Sequence, residues 1–408
     1  MKILNVAKAA LYGIFLNYYC YYTIQGSFLP GGTIIFLAIA LLCVGLDILQ
    51  RRTVHIDREI WCWLVYAVLS LITTAFITAD SGSTGFVSDI IKYVQRLLII
   101  MMVAHICKQE GSIRFGLQLM AVTAIACAVS ILLVTDDIQA KLSISTEANL
   151  SANDVGAIMA FGCFSIIFAW GRRGHSSLAL SALKATGFIC CLSVIFLAGS
   201  RKSIIAVVIM LALLLLLCVP DYRRNLNLRK FFVVLAVGIV AYLVINKYLL
   251  PYAEQTNLYT RLLGRGAEAA SQSDEGRMKL YRWAFQEFLA HPFFGIGFNQ
   301  FSEAHGNYTH STYAEPLACS GLIGLLYLYP YYSIIKKQLQ LIRLSARGSL
   351  QRLKQKELLV YLCMALFIAV GIPYMYKDVP CILLGTLIAN QAISFRELRA
   401  TGQASANY

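Results

Sequence analysis

Charge is scarce in this sequence. Only 14% of its 408 residues are Asp, Glu, Lys or Arg, against 58% hydrophobic, and the mean hydropathy is +0.66. A soluble domain carries about 25% charged residues, so a soluble fold is excluded. Acidic residues are scarcer still, 21 against 35 basic, for a net charge of +14. Internal repeats, low-complexity tracts and a polar stretch of domain length are all missing. The twelve cysteines, Cys43, Cys163, Cys190 and Cys191 among them, sit in apolar runs without metal-ligand spacing. They read as small hydrophobes, not as a disulfide framework. GIGF at 295–298 has no strand before it and no third glycine after it, which excludes a dinucleotide loop. Gly295 and Gly297 are expected to shape a turn after Pro292. The first apolar run lacks a small-residue cleavage site, so it reads as a retained helix.

What the chain does have is apolar runs of membrane length. A helix needs roughly 20 apolar residues to cross a bilayer, and the runs divide into twelve expected spans near 7–25, 32–49, 60–78, 88–106, 115–134, 154–170, 184–199, 203–219, 230–249, 312–333, 357–373 and 378–394. The expectation is one all-α polytopic membrane domain over 1–408, with about twelve transmembrane helices. Alternating the connecting loops places 23 of the 35 basic residues on one side. By the positive-inside rule that side is cytoplasmic and both termini lie there. Twelve cations remain on the other side: Lys92, Arg96, Lys141, Arg201, Lys202, Lys247, Arg261, Arg265, Arg277, Lys279, Arg282 and Lys377. They run against the rule and so call for another reason.

Two of them interrupt the apolar stretch AGSRKSIIAV at 198–207. Gly199, Ser200, Arg201 and Lys202 are expected to form a tight turn between two short spans. The long outer loop, 250–311, contains RMKLYRWAFQEFLAHP, whose apolar residues recur at three and four, as in an amphipathic helix. It is expected to start at Asp274 or Glu275 and to end at His291–Pro292. There Arg277, Tyr281 and Ala284 share a face, while Arg282 is displaced by about 140°. In THSTYAEPLACSGLIGLL, His310, Tyr313 and Pro316 or Leu317 are expected on one helical face, with Glu315 in the first turns, where the helix dipole favours a carboxylate. Gly321 and Gly324 have small-x-x-small spacing, which permits close helix packing.

EGRMKLYRWAFQEFLAHPFFGIGF together with THSTYAEPLACSGLIG resembles the core of the O-antigen ligase and Wzy-type polymerase superfamily. LAGSRKSIIAV and SANDVGAIMA support the likeness. The resemblance implies a polytopic bacterial inner-membrane enzyme, with its site on the outer face, moving glycans from undecaprenyl pyrophosphate. The family's His, nine-residue spacer and Gly-x-x-Gly are matched by His310, Ser311, Gly321 and Gly324. Its Arg-x-x-x-Leu is matched by Arg201 with Ile205 in place of Leu, its loop arginine by Arg277, and its helix-end Asn by Asn153, preceded by Ala152 where Pro is frequent.

Glycosyl transfer from a lipid pyrophosphate leaves an anion, which guanidinium forks suit through paired, charge-assisted hydrogen bonds. Arg201, Arg277, Arg282 and Lys202 are therefore the candidates for pyrophosphate, and Arg96, Asn153, Ser311 and Tyr313 for other substrate contacts. His310 is the candidate general base, its ordinary pKa lying near working pH, with Glu315 as its helper. No metal or other cofactor is expected, and the resemblance implies a metal-independent, inverting transfer. The implied partners are the lipid-linked donor, a lipid-linked repeat unit or lipid A-core as acceptor, membrane lipid and a chain-length regulator; nucleic acid is not among them. The His-Ser-x-Tyr form inclines the reading to a polymerase making O-antigen, capsule or exopolysaccharide, with an O-antigen ligase as the alternative. A lipid-linked oligosaccharide flippase is a third reading, but it calls for charges in mid-span on several helices, whereas here they gather at one face.

Overall fold

The computed structural model of the chain describes residues 2–21, 32–51, 56–79, 85–134, 151–170, 178–198, 200–218 and 267–400. Among the described residues the fold is helical throughout, with no strand. The helices are α1 (Lys2–Tyr21), α2 (Gly32–Arg51), α3 (Arg58–Ile77), α4 (Gly85–Glu110), α5 (Arg114–Val134), α6 (Ala152–Phe168), α7 (Leu178–Leu197) and α8 (Arg201–Leu213), which runs on as one π turn over Leu214–Cys218. After them come α9 (Ala267–Ala290), α10 (Gln300–His305), α11 (Ala314–Ser320), α12 (Gly324–Leu344), α13 (Leu350–Ala369) and α14 (Val379–Ala400).

Among the described residues, eight stretches are long and apolar enough to cross a bilayer: α2, α3, α4, α5, α7, α8 with its π turn, the 31-residue run Ala314–Leu344 and α14. Three more of the expected spans fall on α1, α6 and α13. Of these α6 has only 17 residues, and α13 opens on the charged turns of Arg352, Lys354 and Lys356. The expected span at 230–249 lies outside the described residues, as does the part of the 250–311 loop before residue 267. The described residues thus form the all-helical bundle of a multi-pass membrane protein.

At the centre stands α14, 83% of whose apolar window is buried, packed against α4, α5 and α12. Around it, α6 packs on α5, α7 and α8, while α3 packs on α12 and α4. Inside α12, Pro330 interrupts the helix's own ladder. The Trp63 Nε1–H of α3 donates to the nearby Tyr327 carbonyl at 3.0 Å. At one end of the bundle lie Arg51, Arg58, Lys108, Arg114 and the cations of 336–356, and buried acids hold Lys337 and Arg51. There Glu59, 1% exposed, accepts from Lys337 Nζ at 2.6 Å and Ser333 Oγ at 2.5 Å. Asp47 accepts from Arg51 Nε and pairs with His105 Nε2, both at 3.0 Å. The other end holds the remaining candidates.

Candidate active site

That second end is assembled from the starts of α4, α6 and α8, the α9–α11 segment and the loop after α13. Polar contacts knit these together: Lys377 Nζ donates to Asp154 at 2.8 Å, Arg96 Nε to Asp378 at 2.8 Å and Asn299 Nδ2 to Asp89 at 2.6 Å.

Arg201 and Lys202 do not form the turn expected of them; they are the first two residues of α8, behind Ser200 as N-cap. A cation at a helix N-terminus meets the positive end of the dipole, at a cost of about 0.3–1 kcal/mol. Helix stability therefore gives no reason for either. Both side chains are half-buried. Lys202 lies across Gly371, where a Cβ would coincide with its ammonium. The missing side chain at 371 is what lets that cation reach the loop after α13.

Helix α9 starts at Ala267, several residues before the expected Asp274, because AEAASQSDE is itself rich in helix formers. Leu280 and Ala284 pack into a small core with Phe301, Ala318 and Cys319. Tyr281 donates its hydroxyl to the Val370 carbonyl at 2.8 Å. Arg277, one turn away on the same face, is half-buried, whereas Arg282 is exposed. The turn after Pro292 docks onto the break between α11 and α12 through backbone bonds: Gly297 N–H to Cys319 O at 2.9 Å and Leu322 N–H to Pro292 O at 2.8 Å. Gly295 and Gly321, at φ +67° and +57°, have neighbouring backbone where a Cβ would stand. Gly321 and Gly324 therefore do not line a smooth helix face as expected. Residues Gly321–Ile323 form a 3₁₀ turn; Gly321 admits the loop backbone at Pro292–Phe293, while Gly324 admits the α11 backbone at Pro316–Leu317.

His310 also departs from expectation, for it precedes α11 and takes φ +58°. It therefore shares no helical face with Tyr313 and Leu317. A non-glycine residue in the left-handed region costs about 1–3 kcal/mol and persists only where its surroundings over-determine it. Here both flanks are pinned. Thr309 donates its N–H to the Glu315 carboxylate at 2.6 Å. Thr312 donates its N–H to Ala369 O at 2.9 Å and its hydroxyl to Ile372 O at 2.5 Å. Ser311 Oγ accepts from the N–H groups of Tyr313 and Ala314, at 3.2 and 3.3 Å, and the Tyr313 hydroxyl donates to Leu366 O at 2.9 Å. The polar groups of Ser311 and Tyr313 thus build the frame around His310. Glu315 is fully buried and also accepts from the Tyr376 hydroxyl at 3.0 Å, so it anchors the loop from inside.

Burial first, and then the charges of Arg277 and Lys202, push the His310 imidazole down to about 4; Asp154 acts against them and Lys377 with them. Above that pH the ring is neutral, with a nitrogen lone pair open to accept a proton. The Tyr308 ring lies over it at 4.4 Å between centroids. Burial pushes the Tyr308 phenol up to about 12, so it stays a donor.

The structure thus gathers His310, Arg277 and Lys202, with Arg201 one residue from Lys202. It sets Arg282 away from them and ties Arg96 to Asp378 and to the Met375 carbonyl, the latter at 3.2 Å. Asn153 sits half-buried in the first turn of α6, beside Asp154. Sequence reasoning passed over Asp154, Lys377 and Tyr308. The S-x-x-D spacing of Ser151 and Asp154, here a capping box, and Lys377's place among the outer cations were usable signals; Tyr308 carried none.

No curated protein matches the chain. Residues 186–329 match the family model for O-antigen ligase, a stretch that takes in Arg201, Lys202, Arg277 and His310 and stops short of Lys377. With the helical bundle and the cations gathered on one histidine, that match supports placing the chain in the O-antigen ligase and Wzy-type polymerase superfamily.

Proposed function

We propose that the protein is a polymerase-type glycosyltransferase of the bacterial inner membrane, moving a glycan from undecaprenyl pyrophosphate onto a lipid-linked repeat unit at the outer face. The observation that carries this reading is the neutral His310, held in a left-handed loop with the charges of Arg277 and Lys202 acting on it. In the reaction the acceptor hydroxyl oxygen attacks the anomeric carbon. The bond from that carbon to the pyrophosphate oxygen breaks, and the hydroxyl proton passes to an imidazole nitrogen of His310. Undecaprenyl pyrophosphate leaves with the bonding electrons. Its growing charge is met by Arg277, Arg201 and Lys202 at a low-dielectric boundary, where such contacts count for more than in water. Attack from the face opposite the leaving group inverts the anomeric centre. Glu315 holds the loop and keeps His310 aimed.

The test is transfer by purified protein from a defined undecaprenyl pyrophosphate glycan, with a lipid-linked repeat unit and lipid A-core offered in parallel. Elongated lipid-linked product supports a polymerase, and transfer to lipid A-core alone would make the protein a ligase. Arg277→Ala and Arg201→Ala should each slow transfer about 10- to 150-fold, the loss of a charge-assisted contact worth roughly 1.5–3 kcal/mol. Lys at either position should recover little. Near-normal transfer by both alanine variants would remove the cations from the mechanism.

A further inference from the structure

Beside His310 lies a cavity of about 730 Å³, opened between the starts of α4 and α6, the end of α1 and the loops at 299–308 and 372–380. Its size falls in the range of about 300–1,000 Å³ usual for small-molecule sites. The candidate pyrophosphate cations are not among its lining; its own cations are Lys92, Arg96 and Lys377. Each of these has a carboxylate partner in the same wall: Lys92 with Asp89 at 3.3 Å, Arg96 with Asp378 at 2.8 Å and Lys377 with Asp154 at 2.8 Å. The wall is therefore charge-balanced and unsuited to a pyrophosphate. What it presents instead is paired carboxylates, the Asn299 amide and the tyrosines Tyr19, Tyr308, Tyr374 and Tyr376. Hydroxyl-rich neutral ligands need that combination of planar acceptors, amide donors and ring faces. Tyr308 belongs to both sites, forming part of the cavity wall and covering the His310 ring.

We propose that this cavity is the acceptor subsite, holding an uncharged saccharide terminus so that the hydroxyl beside Tyr308 is the one presented to His310. This rests on the glycosyltransferase reading above. It adds that the two substrates meet at Tyr308 from different sides, the lipid pyrophosphate by way of Arg277 and Lys202 and the acceptor sugar by way of α4 and α6.

The test uses the full-length protein in nanodiscs. Binding of neutral disaccharide glycosides, and of the same glycosides carrying a phosphate, is followed by calorimetry. Transfer kinetics are run separately, with the neutral glycoside as soluble acceptor. Asp89→Asn breaks one pair in the wall, and Ala157→Phe fills the cavity from α6 without touching a charge. Either should weaken neutral-glycoside binding and raise the acceptor KM tenfold or more, with the donor KM unchanged. Unaltered glycoside binding in Ala157→Phe, failure of the wild type to bind any neutral glycoside, or tighter binding of the phosphorylated forms would overturn the assignment. A wild type that binds glycosides at this cavity but transfers nothing would instead sink the glycosyltransferase reading and leave the saccharide site standing.

Discussion

Binding of the donor should move the acid limb of the reaction upward in pH. His310 sits at about 4 instead of its ordinary 6.5, through burial and then through Arg277 and Lys202. That difference corresponds to roughly 3 kcal/mol against protonation. A pyrophosphate diester brings negative charge to the same cations. One unit charge about 7 Å from the ring, at an effective dielectric of about 20, favours the imidazolium by roughly 2 kcal/mol. Since a tenfold change in protonation corresponds to about 1.4 kcal/mol, the acid limb should rise by about one to two pH units. The sign follows from the groups that face the ring: Arg277 on α9, Lys202 on α8 and Lys377 in the loop after α13 hold the proton off, and Asp154 on α6 invites it. The donor thus makes the base stronger as it arrives. The assay is the pH dependence of transfer, because kcat/KM reports the free enzyme and kcat the loaded one. The kcat limb should lie above the kcat/KM limb, and Lys202→Gln, by removing a cation, should move the kcat/KM limb upward. Coincident limbs in the wild type, or a downward move in Lys202→Gln, would refute the reasoning.

Gly371→Ala should displace the Lys202 ammonium and so reproduce the loss of transfer expected of Lys202→Ala. In a double-mutant cycle the two should be strongly non-additive, and additive losses would mean that Gly371 serves only its own loop. Tyr376→Phe and Glu315→Gln each remove part of the latch on Thr309. The carboxylate variant should cost about 1.5–3 kcal/mol and the phenol variant less, read as lowered thermal stability together with a fall in kcat at unchanged donor affinity. A fall in donor affinity instead would put Glu315 in the binding site.

The spans were legible because an apolar run of bilayer length has few other uses, and α2 to α5 lie close to where hydropathy put them. The local geometry of the site was not. His310 reads as part of a helix by spacing, but Thr312 is bonded to Ala369 and Ile372, partners about 60 positions away that no local pattern reveals. The glycines at 321 and 324 read as a helix-packing pair because their spacing fits one; Gly324 does let α11 approach α12, but Gly321 serves a loop docking at Pro292 and Phe293 that no local pattern reveals. Arg201 and Lys202 were legible as anomalies, since cations in an apolar run need a reason. Asp154 and Lys377, a pair separated by 223 positions, were visible singly and joined only by the fold.

The most direct measurement compares wild type with His310→Gln in turnover of a defined undecaprenyl pyrophosphate glycan by purified protein, with donor binding followed separately. Gln can hydrogen-bond the acceptor hydroxyl but cannot take its proton. If His310 is the base, the variant should bind the donor normally and turn over ~10²–10⁴-fold more slowly, without the acid limb that the imidazole imposes. A His310→Gln enzyme turning over at near wild-type rate, with its acid limb intact, would contradict general-base catalysis by His310.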